Sequence, residues 1–336
     1  MKLYILLVIF AFSSTLACKS KSSRKASKGE DANSEEIDAD ARPLIAETEF
    51  VISDISSSPL EGTTKRAEGG TEASGTVSGT WDKSMNPIYI TSDVLVGPDK
   101  ILIIKAGVSI IFTGKYRISI EGGQLKVDGT AAEKVTFVAE NKTEGWAGIR
   151  ICPDPECRQE ELKGKIEIRH AIFQGARKDN MDPNDATWRR GGAIYLRGTA
   201  TSLIEDSDFK DNYAQERGGA VELIADNRNL IFRRNTFTGN KNDAGSNGGG
   251  GALHITHGRN ITIENCTFTG NESKGQGGAI YMLDSAGIVL KGNTFTSNVS
   301  AKIGGAIRCD GHASMISVDA SNVMKSNVPN DFSCEP

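Results

Sequence analysis

The 336 residues are 38% hydrophobic and 24% charged, which is enough apolar material for a sizeable core, yet only 6% are aromatic and 37 are glycine. The net charge is -4, and no basic stripe interleaved with aromatics runs along the chain, so no nucleic-acid partner is expected. A repetitive architecture is the simplest way to reconcile a core with so much glycine and so few rings.

Lys2 precedes an apolar run at residues 3–12, too short to span a bilayer but the right length for the central part of an export signal. Ser13, Ser14, Thr15, Leu16 and Ala17 then lead to Cys18, and this junction resembles the lipobox of bacterial lipoproteins. The resemblance implies a signal peptide over 1–17 and acylation of Cys18, which would attach the protein to a membrane through its lipid. Thr15 and Leu16 depart from the usual Leu-then-small order, and ordinary cleavage after Ala17 would instead leave a secreted or periplasmic protein. Lys19 stands where an Asp would signal retention at the inner membrane, so the resemblance favours the outer membrane. Residues 18–80 are poor in aromatics and rich in Ser, Lys, Glu and Gly, a composition that offsets little ordering entropy and predicts a disordered linker.

From residue 81 to 336 a period emerges. Gly-Gly-Ala recurs at 191–193, 218–220, 250–252, 277–279 and 304–306, and a Phe-x-x-Asn motif recurs in the same frame. The second motif pairs Phe209 with Asn212, Phe237 with Asn240, Phe268 with Asn271 and Phe295 with Asn298; Met324 and Asn327 form a degenerate fifth copy. Within one unit, 279–283, 287–291 and 293–297 read as three short strands separated by turn residues. Three strands cannot bury their own faces, so successive coils must stack as parallel ladders about 4.8 Å apart, and parallel connections favour the right hand. The fold class is therefore all-β, a right-handed parallel β-helix over 81–336. The phenylalanines should form an axial stack, the asparagines a hydrogen-bonded ladder at a bend, and the glycine pairs a sharp corner.

These paired motifs resemble the passenger domains of chlamydial polymorphic outer-membrane proteins. The resemblance implies a surface-exposed, adhesive β-helix. Those relatives also carry a C-terminal β-barrel; none follows here before Pro336, so the N-terminal lipid would take its place.

Five cysteines remain after Cys18. Cys152 and Cys157 bracket a short loop that suits a local disulfide, and a Cys309–Cys334 bridge would tie down the end of the solenoid. Cys266 is expected as a small apolar filler. No zinc-ligand spacing is present and the four histidines are scattered, so neither a metal nor a cofactor is expected.

Aligning the coils on Gly-Gly-Ala places Arg150, Tyr195, Glu222, His254, Tyr281 and Arg308 one above another, facing outward by alternation. An exposed stripe of this chemistry would suit an extended polysaccharide. The carboxylates are too thin for a calcium-dependent lyase or a paired-acid hydrolase, since Asp206, Asp208 and Asp211 should disperse and Glu222 with His254 is a single cross-coil pair. The expectation is a non-catalytic surface binding protein or adhesin, directed at a polysaccharide or a surface protein. Its alternatives are a polysaccharide-active β-helix enzyme and an envelope spacer.

Overall fold

The computed structural model describes residues 60–151, 164–179, 189–198, 202–224, 227, 229–245, 248–311 and 315–334. The signal peptide, Cys18, Cys152 and Cys157 lie outside them. The described chain is a right-handed parallel β-helix, with short strands paired in parallel from coil to coil.

One complete coil shows how the sequence builds it. After Gly250, Gly251 and Ala252, Leu253–Thr256 forms the first strand, Arg259–Glu264 the second and Thr267–Thr269 the third. A two-residue strand, Glu272–Ser273, closes the turn and belongs to a separate ladder of such pairs. The next coil repeats the order at Ile280–Leu283, Ala286–Lys291 and Thr294–Thr296, each in parallel register with its predecessor. Alternation puts Leu253, Ile255, Ile261, Ile263 and Phe268 inside, all buried.

The phenylalanines form the predicted stack, with centroids 4.7 to 4.9 Å apart from Phe137 through Phe173, Phe209, Phe237 and Phe268 to Phe295. That separation is the strand spacing itself, so each ring rests on the next coil's ring. Phe112 and Trp146 extend the stack upstream at 4.4 Å, in coils without the Phe-x-x-Asn motif.

The asparagines form a continuous ladder beside it. Asn240 Nδ2 donates to Asn271 Oδ1 at 2.9 Å and to the Phe209 carbonyl at 2.9 Å, and the same pattern joins Asn212, Asn271, Asn298 and Asn327 to their neighbours. A second ladder, not anticipated from the sequence, runs through Ser207, Asn235, Cys266, Asn293 and Asn322. Cys266 is thus a rung and not an inert filler. Its Sγ accepts from the Asn235 amide at 3.4 Å and lies 3.5 Å from the Phe232 carbonyl, while burial pushes the thiol up to about 12 and keeps it protonated.

Each glycine of the corner pair has its own reason. Gly250 has φ of +72°, a region costly for other residues, whereas a Cβ on Gly251 would stand 2.2 Å from the carbonyl oxygen of Gly278 in the next coil. Backbone therefore lies on backbone at this corner, from Gly192 to Gly305.

The ordered domain starts earlier than composition suggested. Glu61–Lys65 pairs antiparallel with Thr71–Trp81, which buries Ala73, Val77 and Trp81 in the core. Residues 61–80 therefore belong to the β-helix and not to the linker: a strand needs apolar side chains on its inner face only, and small ones escape a reading based on aromatic content. At the far end Cys309 and Cys334 are joined by a disulfide, with Cα atoms 4.4 Å apart, linking the strands Ile307–Asp310 and Phe332–Cys334.

The second face carries a column of strictly alternating charge: Lys105, Asp128, Arg169, Glu205, Arg233, Glu264 and Lys291, each registered on the next. Glu205 is buried and takes Arg233 at 2.7 Å and Arg234 at 3.0 Å in addition to Arg169. A coil slipped by one position along the stack would set like charges against each other, so the column specifies the stacking order.

Candidate functional site

Arg150, Tyr195, Glu222, His254, Tyr281 and Arg308 do stand in one column, since strand register pairs each with the next. Ser119 precedes them and Ser333 follows. The expectation of an exposed stripe is overturned. Glu222 and His254 are 0% exposed, Tyr195 1%, Tyr281 3%, Arg308 6% and Arg150 8%.

The reason lies in the segment ahead of each glycine pair, which folds against the column as a ledge. The Gly191 amide donates to the Arg217 carbonyl at 2.8 Å, Glu216 to Arg189 at 2.7 Å and Gly218 to Gly249 at 3.1 Å, so the ledge has a ladder of its own. Glu216 clamps it from outside through Arg189 at 3.1 Å and Arg190 at 2.8 Å. From the adjoining two-residue strand Arg177–Lys178, the Lys178 ammonium lies 5.8 Å from the Tyr195 ring centroid.

Within this enclosure most polar groups are committed to internal partners. The Gly249 carbonyl can only accept, so His254 Nδ1, at 3.2 Å, carries the proton, and Nε2 accepts from the Thr256 hydroxyl at 2.8 Å. Burial first, and then Arg217, depress the imidazole to about 3, so it is neutral at physiological pH. The His254 ring meets Tyr281 edge-on at 5.0 Å. The Tyr281 hydroxyl donates to Asp310 Oδ2 at 2.7 Å; burial and that bond together raise its pKa. Arg308 pairs with Asp310 and donates to Ser333 Oγ at 2.8 Å, and Arg150 reaches Glu121 at 3.5 Å.

Glu222 is the exception. Neither of its carboxyl oxygens has a hydrogen-bond partner among the described residues, and burial raises it to about 7 against the pull of Arg190, Arg217 and Lys178. It sits one coil from His254 without bonding to it. Sequence reasoning found this column but missed Lys178, Arg190 and Arg217, because they reach Glu222 from segments outside the strands that the Gly-Gly-Ala alignment places in register. The dispersal expected for Asp206, Asp208 and Asp211 is what the structure shows for the first two: Asp206 pairs with Arg234 and Asp208 with Lys134. No group of three or more His, Cys, Asp or Glu among the described residues is placed to hold a metal ion. No helix among them is long and apolar enough to cross a membrane, which says nothing of strands.

Residues 166–327 match the family described as the right handed beta helix region, in agreement with the observed fold. No curated protein matches the chain. Among solved structures, the periplasmic alginate epimerase AlgG is 13% identical, covering 81% of this chain and 80% of that one with a TM-score of 0.29. Two substituted forms of the same epimerase are each 12% identical; one covers 80% of both chains with a TM-score of 0.27, the other 84% of this chain and 82% of its own with 0.26. TM-scores this low transfer neither site nor activity to this chain.

Proposed function

We propose that this chain is an exported, non-catalytic binding protein, held at the outer membrane by an acylated Cys18, whose β-helix presents the ledge and its neighbouring corners to a polysaccharide or a surface protein. One observation carries this reading. The residues with acid, base or gripping chemistry are sealed beneath the ledge, so a partner approaching that face meets the ledge and its rim and not the column. The rim is mixed in charge and open to solvent: Lys241 pairs with Glu272 at 3.0 Å and Lys274 with Asp243 at 2.9 Å, with side chains 38 to 60% exposed. Tyr213 stands beside them beneath the Arg177 guanidinium. Charged groups on a rigid scaffold are a common basis for recognition, and partners select for them mainly through electrostatic fit.

The test is binding to a glycan array and to intact cells. Reversing both rim lysines, Lys241→Glu with Lys274→Glu, is expected to lower binding about tenfold, whereas Tyr281→Phe beneath the ledge leaves it unchanged. Loss of binding in Tyr281→Phe with the rim reversal silent would contradict the reading. A second reading, a polysaccharide-active enzyme, has a specific observation in its favour: a carboxyl raised to about 7 one coil from a neutral imidazole. Release of reducing or unsaturated sugar ends from a uronate polymer, abolished by Glu222→Ala, would establish it in place of the first.

A further inference from the structure

Among the groups beneath the ledge, Glu222 alone is left with a function to explain. A fully buried carboxyl with two unpartnered oxygens is costly in any protonation state, and costlier when ionised, because no donor among the described residues is within bonding distance of the charge. The charged and titratable groups facing it come from every side. Lys178 approaches from the two-residue ladder, Arg190, Glu216 and Arg217 from the ledge, Tyr195 from one neighbouring coil and His254 from the other. The guanidiniums and the ammonium attract an anion there, yet neither carboxyl oxygen of Glu222 accepts a hydrogen bond from a described residue as the ledge now lies.

We propose that the ledge is a proton-linked latch: it lies closed over a protonated Glu222, and ionisation of that carboxyl draws water beneath residues 189–191, 216–218 and 248–250 and loosens them. This deepens the binding reading above, because the ledge is the surface offered to a partner there. The sign follows from linkage. A carboxyl held at about 7 when closed, against an ordinary 4.5 when wet, favours the closed state below its ordinary value and progressively loses that advantage as pH rises through 7. His254 is already neutral throughout this range, so the transition is assigned to Glu222.

Hydrogen exchange of the full chain at pH 6 and pH 8, corrected for intrinsic rates, tests this directly. The closed-to-open ratio of the three ledge segments is expected to fall about tenfold over that interval, while the amides of the Asn ladder keep their protection. Glu222→Gln, which cannot ionise, should remove the difference. Should that variant fail to fold, infrared spectroscopy of the parent gives the same answer: a protonated carboxylic-acid band present at pH 6 and lost by pH 8. Equal ledge protection at both pH values, or a pH response that survives Glu222→Gln, overturns the latch. A responsive ledge in a protein that binds no glycan or cell would leave the latch standing and remove the binding reading instead.

Discussion

Gly251→Ala is expected to destabilise the β-helix by more than about 4 kcal/mol. The new methyl would stand 2.2 Å from the Gly278 oxygen and 2.7 Å from backbone atoms of Glu272, and neither neighbour is the flexible end of a side chain. Relief would require lifting one coil from the next, which separates the Phe stack and both Asn ladders across that interface. Gly270 provides the contrast within the same repeat. It has φ of +61° and nothing within 4 Å of a built Cβ, so Gly270→Ala meets backbone strain alone, about 1–2 kcal/mol. Urea unfolding of the two variants separates steric stacking from conformational preference; equal losses would show that the coils are not in backbone contact at the glycine corner.

Asn271→Leu should cost about 3 kcal/mol although it keeps the branched shape and adds apolar surface. Asn271 Oδ1 accepts from the Asn240 amide at 3.1 Å and its side-chain amide at 2.9 Å, and its own Nδ2 donates to the Phe237 carbonyl at 3.0 Å and Asn298 Oδ1 at 2.9 Å. Leucine leaves the Asn240 backbone amide and one hydrogen of its side-chain amide without an acceptor in a place water does not reach. Because a stacked solenoid couples mainly to nearest neighbours, amide exchange should rise in the coils of Asn240 and Asn298 and remain low near Phe137. A leucine variant as stable as the parent would mean that the ladder orders side chains without holding the stack together.

These two positions also show what the sequence could reveal. Gly251 and Asn271 belong to motifs repeated in one frame, and a stacking geometry that acts identically on every coil writes itself into the chain as a period. The upstream coils use the same inner stack through Phe112, Phe137 and Phe173, but without the asparagine that would have marked them. The alternating column from Lys105 to Lys291 was hidden because intervals between its members vary with loop length, and only register reveals the alternation.

The candidate site was half legible for a related reason. Alternation of period two states which side of a strand a residue occupies, and it aligned Arg150 through Arg308 correctly. It is silent on what packs against that side. The ledge comes from residues just ahead of the glycine pairs, where polar composition and uneven length resemble loops, so Tyr195, Glu222 and His254 read as solvent-facing when they are covered. The same blindness to packing set the domain boundary at 81, since Ala73 and Val77 offer little apolar surface until a core is built around them.

Closure of the column is the premise on which the non-catalytic reading and the latch both rest, and hydroxyl-radical footprinting of the native protein at pH 6 tests it most directly. Tyr195 and Tyr281 should be oxidised far more slowly than Tyr213 and Tyr89, which are only partly buried, and at comparable rates once the protein is unfolded. Oxidation of Tyr195 and Tyr281 at the Tyr213 rate in the folded protein would place the column at the surface and return it to candidacy as an open polysaccharide groove.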